Sequence, residues 1–236
     1  MIADALRERV FRANLALAET DLVLETFGNV SGADHDAGLI AIKPSGVPYQ
    51  KLTPSDIVLV SLETGDAVDS ALRPSSDTPA HLELYRAFRC GAVVHTHSRL
   101  ATAFAQARTP IRCQGTTHAD YFRGDVPVTR PLTEAEVAAD YERNTGSVIV
   151  ETFRVLGLSP ADVRAALVAN HGPFVWSYDA MHAVEVARVL EYLAEVNLAA
   201  RIINPAEPAP DGFLIEKHYT RKHGAQAYYG QEKPAS

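Results

Sequence analysis

The sequence predicts a mixed α/β protein built as one domain, and three observations carry that expectation. Its 236 residues are 47% apolar, enough to bury a full core. Short β-branched runs at Leu39–Lys43, Ile57–Ser61 and Gly91–Ser98 alternate with longer segments whose apolar residues recur at helical spacing. No linker rich in proline, glycine and serine divides the chain, and only Asn204–Gly212 reads as loose.

The elements follow in order. Residues 2–19 place Leu6, Val10, Ala13 and Leu17 on one face, so the chain opens on an amphipathic helix. Phe27–Gly32 reads as a turn-rich loop, either a plain hairpin turn or a place where backbone approaches a ligand. The Leu39–Lys43 strand runs into Lys43-Pro44-Ser45-Gly46, where a cation, a hydroxyl and a glycine amide suit a phosphate. Ile57–Ser61 is the next strand, and Glu63–Asp66 its hairpin turn. A helix spans Pro79 to Phe88 with Leu82, Tyr85 and Phe88 as its buried stripe. Ser75 and Ser76 precede its N-terminus, where free amides attract anions, and Asp77 reads as its N-cap.

The Gly91–Ser98 strand carries His95 and His97, two residues apart and so on one face. A helix around Leu100–Ala107, a strand-like segment at Ile111 and a polar loop at Gly115–Tyr121 follow. Thr133–Glu136 is a capping box whose helix continues through Gly157, with Val150, Phe153 and Leu156 as its apolar side. Ala166–Val168 is a short strand, and His171-Gly172-Pro173 lies just past its end. A long helix over Ala180 to Ile203 turns Val186, Leu190, Leu193 and Val196 to the core. Lys217, His218, Arg221, Lys222 and His223 then form a cationic cluster in an otherwise acidic protein.

Bulk properties narrow the function. A net charge of −7 disfavours nucleic acid as the partner, and no apolar run approaches a membrane span. Two cysteines, Cys90 and Cys113, make no disulfide framework, so a reducing, cytoplasmic setting is expected. His95 and His97 come from one strand and His171 from the end of another, and three imidazoles with an open position suit a catalytic divalent metal. Together with the phosphate-suited loops, they point to a metal enzyme acting on a small phosphorylated molecule.

Several stretches carry a resemblance: Thr26–Ser31, Ile42–Val47, Pro74–Pro79, Val94–Arg99, Gly115–Tyr121, His171–Pro173 and Lys217–Gly230. In these the chain resembles the L-ribulose-5-phosphate 4-epimerase branch of the class II aldolase/epimerase family. The resemblance implies a three-layer α/β/α sandwich around a mostly antiparallel sheet, spanning 1–236, with the tail 212–231 closing the active site. It implies Zn2+ (or Mn2+ or Co2+) on His95, His97 and His171, with Asp77 near or on the metal. Phosphate would sit among Asn29, Lys43, Ser45, Gly46, Ser75 and Ser76. Asp120 and Tyr229 match the acid/base pair; His218 and Arg221 match supporting positions, and Thr116 is carried over as a substrate-binding residue. A homotetramer with inter-subunit sites is implied, serving arabinose breakdown. The nearest alternatives are a fuculose or rhamnulose 1-phosphate aldolase, the same epimerase reaction in ascorbate or xylulose breakdown, and a non-catalytic scaffold such as the family's cytoskeletal relatives. In the aldolase branch a glutamate stands where this chain has Asp77.

Overall fold

The structure, a computed structural model, describes residues 2–206, 208–223 and 227–228. The chain opens with helix α1 (Ile2–Ala18), then strands β1 (Asn29–Asp34), β2 (Leu39–Ile42), β3 (Val58–Ser61) and β4 (Ala67–Val68). Helix α2 (Thr78–Phe88), strand β5 (Ala92–His95), helix α3 (Arg99–Gln106) and the short helix α4 (Thr116–Ala119) follow. The rest is α5 (Glu134–Leu156), β6 (Ala165–Leu167), β7 (Pro173–Ser177), α6 (Ala180–Ile203) and α7 (Gly212–His223).

The seven strands form one sheet in the order β4-β3-β2-β1-β5-β7-β6, with every neighbouring pair antiparallel. Among the described residues a parallel contact occurs only as the single bridge Val128–Leu167. The mixed α/β architecture around an antiparallel sheet is therefore as expected.

Alternation along β1 sets the layers. Ser31 turns to one face, where its hydroxyl meets His81 and Tyr85 of α2. Val30 and Gly32 turn to the other, and Gly32 lies directly under Val10 of α1. Helices α2 and α5 pack together on the first face, and α1 packs with α6 on the second. On the first face Trp176 of β7 packs against Phe88 and Phe153, joining sheet to helices. Where β2 ends, the buried amide of Asn14 replaces it, bonding both Val30 N–H and Val30 C=O at 2.9 Å. This satisfies backbone groups that burial would otherwise leave costly.

Some expected details differ. Asn29–Gly32 is strand, not loop, because β2 and β5 pair with it on both sides; only Phe27–Gly28 remains irregular chain. Gly115–Tyr121 holds helix α4, with His118 buried and bonded to Gly124 O at 2.7 Å. Leu156 and Val196 are exposed: Leu156 stands on the last turn of α5, and Val196 lines a cavity between α6 and the Arg112–His118 segment. Among the described residues no helix is long and apolar enough to cross a membrane.

Candidate active site

Three turns converge at one end of the central strands. β5 stops at His95, and Thr96-His97-Ser98 continues as irregular chain, so His97 reaches the site from beyond the strand. The pair still meets, with the two Nε2 atoms 3.2 Å apart. His171 arrives on a tight turn in which Val168 N–H donates to Gly172 O and His171 N–H to Val168 O. Asn170 takes a left-handed conformation there (φ 64°), which asparagine tolerates better than most residues. Gly172 is required by contact, because a Cβ would stand 2.7 Å from Thr96 O. The donor atoms of His95, His97 and His171 all lie within 4.8 Å of one another.

Their protonation suits a cation. His95 Nδ1–H donates to Pro173 O at 3.0 Å, a group that can only accept, which leaves Nε2 as a lone pair aimed at its neighbours. The ring is fixed by stacking on Phe174, 4.2 Å away at 16°. Burial, aided by the His95 and His97 rings, depresses His171 to about 3. Burial and His95 likewise lower His97. Both imidazoles are therefore neutral at pH 7, the form that binds metal. Two nitrogens on a tetrahedral zinc at ~2.05 Å would stand roughly 3.3 Å apart, close to the separation here. The donor set fits a divalent metal with an open position.

Beside the triad is a cavity of about 350 Å³ lined by Asn29, Lys43, Ser45, Gly46, Ser75, Ser76 and Asp77 together with His95 and His97. All six residues expected at the phosphate are present. Lys43 is buried, lies 4.8 Å over the Tyr49 ring and makes one long bond to Pro44 O. Among the described residues it has no carboxylate within ion-pair distance. Burial lowers its pKa, and an anion in the cavity would reverse that penalty. The two serine- and lysine-bearing loops are tied by Ser75 N–H to Lys43 O and Ser45 N–H to Arg73 O, each 3.0 Å.

Asp77 occupies the N-cap position of α2 but makes no side-chain cap. Its Oδ2 accepts from Asn29 Nδ2 at 2.6 Å and Ser75 Oγ at 3.4 Å, turning the carboxylate into the cavity. Burial would raise its pKa, but the His95 and His81 rings and the Asn29 bond outweigh that and hold it low. Asp77 is not within the set of donor atoms that converge within 4.8 Å. Asn29 Oδ1 is buried without a partner, an acceptor left for a ligand's hydroxyl.

A second cluster forms elsewhere. Asp120, at the end of α4, accepts from Arg221 Nε at 2.9 Å and Nη2 at 2.6 Å, and from His218 Nδ1 at 3.1 Å. His223 Nε2–H donates to Asp120 O at 2.8 Å. Burial would raise the Asp120 pKa; the Arg221 and His218 bonds reverse this and keep it ionised. The cationic tail is thus a docking face rather than a solvated one. Asp120, Thr116, His218 and Arg221 do not line the cavity of the triad. Thr116 lines a separate cavity of about 250 Å³ against α6. Tyr229 lies outside the described residues.

Sequence reasoning missed Thr26 and Phe27, which line the triad cavity, and Tyr49, whose hydroxyl holds Gly28 O at 2.8 Å. It also missed Tyr141, whose hydroxyl lies 3.3 Å from His171 Nδ1. Thr26 and Phe27 adjoin the recognised Gly28–Asn29 segment, a usable signal; Tyr141 sits inside a helix and gives none. A larger cavity, about 940 Å³ between α1 and α6, is lined by five carboxylates and no triad histidine, so size does not mark the site.

Residues 8–198 match the model of the class II aldolase and adducin N-terminal domain. A solved L-fuculose 1-phosphate aldolase is similar at 26% identity and TM-score 0.76, over 91% of this chain and 94% of that one. YgbL from Klebsiella pneumoniae is similar at 25% identity and TM-score 0.70, over 91% and 98%. L-fuculose-1-phosphate aldolase from Thermus thermophilus is similar at 26% identity and TM-score 0.65, over 87% and 98%. With the matched span covering most of its length and the same fold throughout, this chain belongs to the class II aldolase family.

Proposed function

We propose that the protein is a metal-dependent, cytoplasmic sugar-phosphate enzyme that interconverts L-ribulose 5-phosphate and D-xylulose 5-phosphate. The observation that supports it most is the convergence of three imidazoles within 4.8 Å beside a cavity whose buried lysine has, among the described residues, no carboxylate partner. His95, His97 and His171 would hold the divalent metal, zinc being the first choice, with Asp77 beside it. Bound there, the metal supplies Lewis-acid stabilisation of negative charge on the sugar's carbonyl oxygen.

The substrate chemistry explains the remaining groups. Carbon 4 lies one bond too far from the ketone for its proton to be acidic, so inversion proceeds by cleaving and remaking the C3–C4 bond. A base takes the 4-hydroxyl proton, the aldehyde fragment rotates, and the proton returns on the other face. Lys43, Ser45, Gly46, Ser75, Ser76 and Asn29 hold the phosphate, so the fragment turns without leaving. Asp120 stands ionised against Arg221 and His218, so it enters the reaction without a proton, in the base form. Tyr229 is its partner on the opposite face, and the tail 212–231 closes the site.

Within one chain Asp120 does not line the cavity beside the triad, and Thr116 lines a separate one, which supports an oligomer whose neighbouring subunits complete each other's sites; the homotetramer is the form proposed. Exposed Val155, Ile202, Ile203 and Phe213 offer apolar surface for that association. The similarity to L-fuculose 1-phosphate aldolases favours a second reading, cleavage without rejoining. A coupled assay on L-ribulose 5-phosphate, with metal-stripped protein as control, separates them. D-xylulose 5-phosphate formed only by the metal-loaded protein is the expected result. Turnover of fuculose or rhamnulose 1-phosphate to free aldehyde and dihydroxyacetone phosphate, without epimer, would select the aldolase.

A further inference from the structure

Helix α5 is interrupted at Asp140, whose backbone is extended (φ −160°, ψ 83°) between two helical stretches. Asp140 Oδ1 accepts from Arg143 N–H at 3.2 Å, so the aspartate acts as an N-cap for the second stretch. Asn144 Nδ2 bonds Glu136 O at 2.8 Å across the break and holds the two pieces together. Tyr141 is therefore the first residue of a new helical segment, and its ring reaches His171. The hydroxyl lies 3.3 Å from His171 Nδ1, and the rings are stacked at 29°.

We propose that Tyr141 is a positioning residue for the metal-binding face of His171, delivered by the break at Asp140. The inference rests on the reading of the triad as a metal site. His171 binds through Nε2 only if Nδ1 carries the proton, and Nδ1–H then needs an acceptor. His95 meets the same need with Pro173 O. For His171 the acceptor is the Tyr141 hydroxyl oxygen.

Tyr141→Phe removes a single oxygen from a side chain 38% exposed, so the fold is retained. Zinc and cobalt(II) alone are titrated against a competing chelator into the full-length wild type, Tyr141→Phe and His97→Asn. The expected result is metal affinity weakened about tenfold or more in Tyr141→Phe, the effect of losing an outer partner of a ligating histidine. The cobalt absorption bands should shift in the same variant, a change that a general loss of stability would not produce. Wild-type affinity and an unchanged cobalt spectrum in Tyr141→Phe overturn the inference. If wild type and His97→Asn bind metal equally weakly, the metal-site reading itself has failed, and the inference falls with it.

Discussion

Nε2 of His95 and Nε2 of His97 stand 3.2 Å apart, with their rings inclined at 69°. Two nitrogens this close in neutral rings either share one proton or share a cation. His97→Asn breaks the set while leaving its neighbours in place. After dialysis it should retain less than a tenth of the wild-type metal content, measured by elemental analysis. Added metal should stabilise wild type by about 4 kcal/mol at a thousandfold excess over Kd, and the variant hardly at all.

Lys43 is buried and, among the described residues, has no carboxylate partner, so its charge costs folding energy and serves a ligand. Lys43→Met keeps the volume and removes the charge. Binding of inorganic phosphate, followed calorimetrically, should weaken by roughly 10–100-fold, or about 1.4–2.8 kcal/mol. Thermal stability should stay level or rise. A fall in stability with phosphate binding intact would mean that the lysine serves the fold.

Asp120 does not line the cavity beside the triad of the same chain. Asp120→Asn and His97→Asn proteins should each be inactive alone. Unfolded, mixed and refolded together, they should recover up to roughly a quarter of wild-type activity, the chance that random assembly joins two intact halves. An absence of recovery in verified hybrids would place the whole site within one subunit.

His118 gives the acid side of the stability profile a definite slope. Burial depresses it to about 4, from about 6.5 in an unfolded chain. Between those values the unfolded chain binds a proton that the folded one does not. Stability is therefore full above about pH 6.5 and declines as pH falls toward 4, by about 3 kcal/mol from this ring. His118→Gln can still donate to Gly124 O and cannot titrate. Urea unfolding across that window should show a shallower decline in the variant.

Local pattern determined much of this protein. Helical spacing placed Leu6, Val10, Ala13 and Leu17 in the core, where they are buried, and the Thr133–Glu136 box starts α5 as its chemistry requires. His95, His97, His171 and the phosphate-suited loops were legible because ligand-type residues stand next to turns, and each turn ends an element. Partnership across the sheet was not legible. Asn29–Gly32 has the composition of a turn, yet two flanking strands supply its hydrogen bonds and make it strand. Leu156 and Val196 fit an apolar face by spacing, but burial depends on what packs there, and both stay exposed. The Asp120–Arg221 pair and the Tyr141–His171 contact join residues 101 and 30 positions apart. Contacts over such separations arise only once the chain has folded back on itself, because no periodicity along the sequence records them.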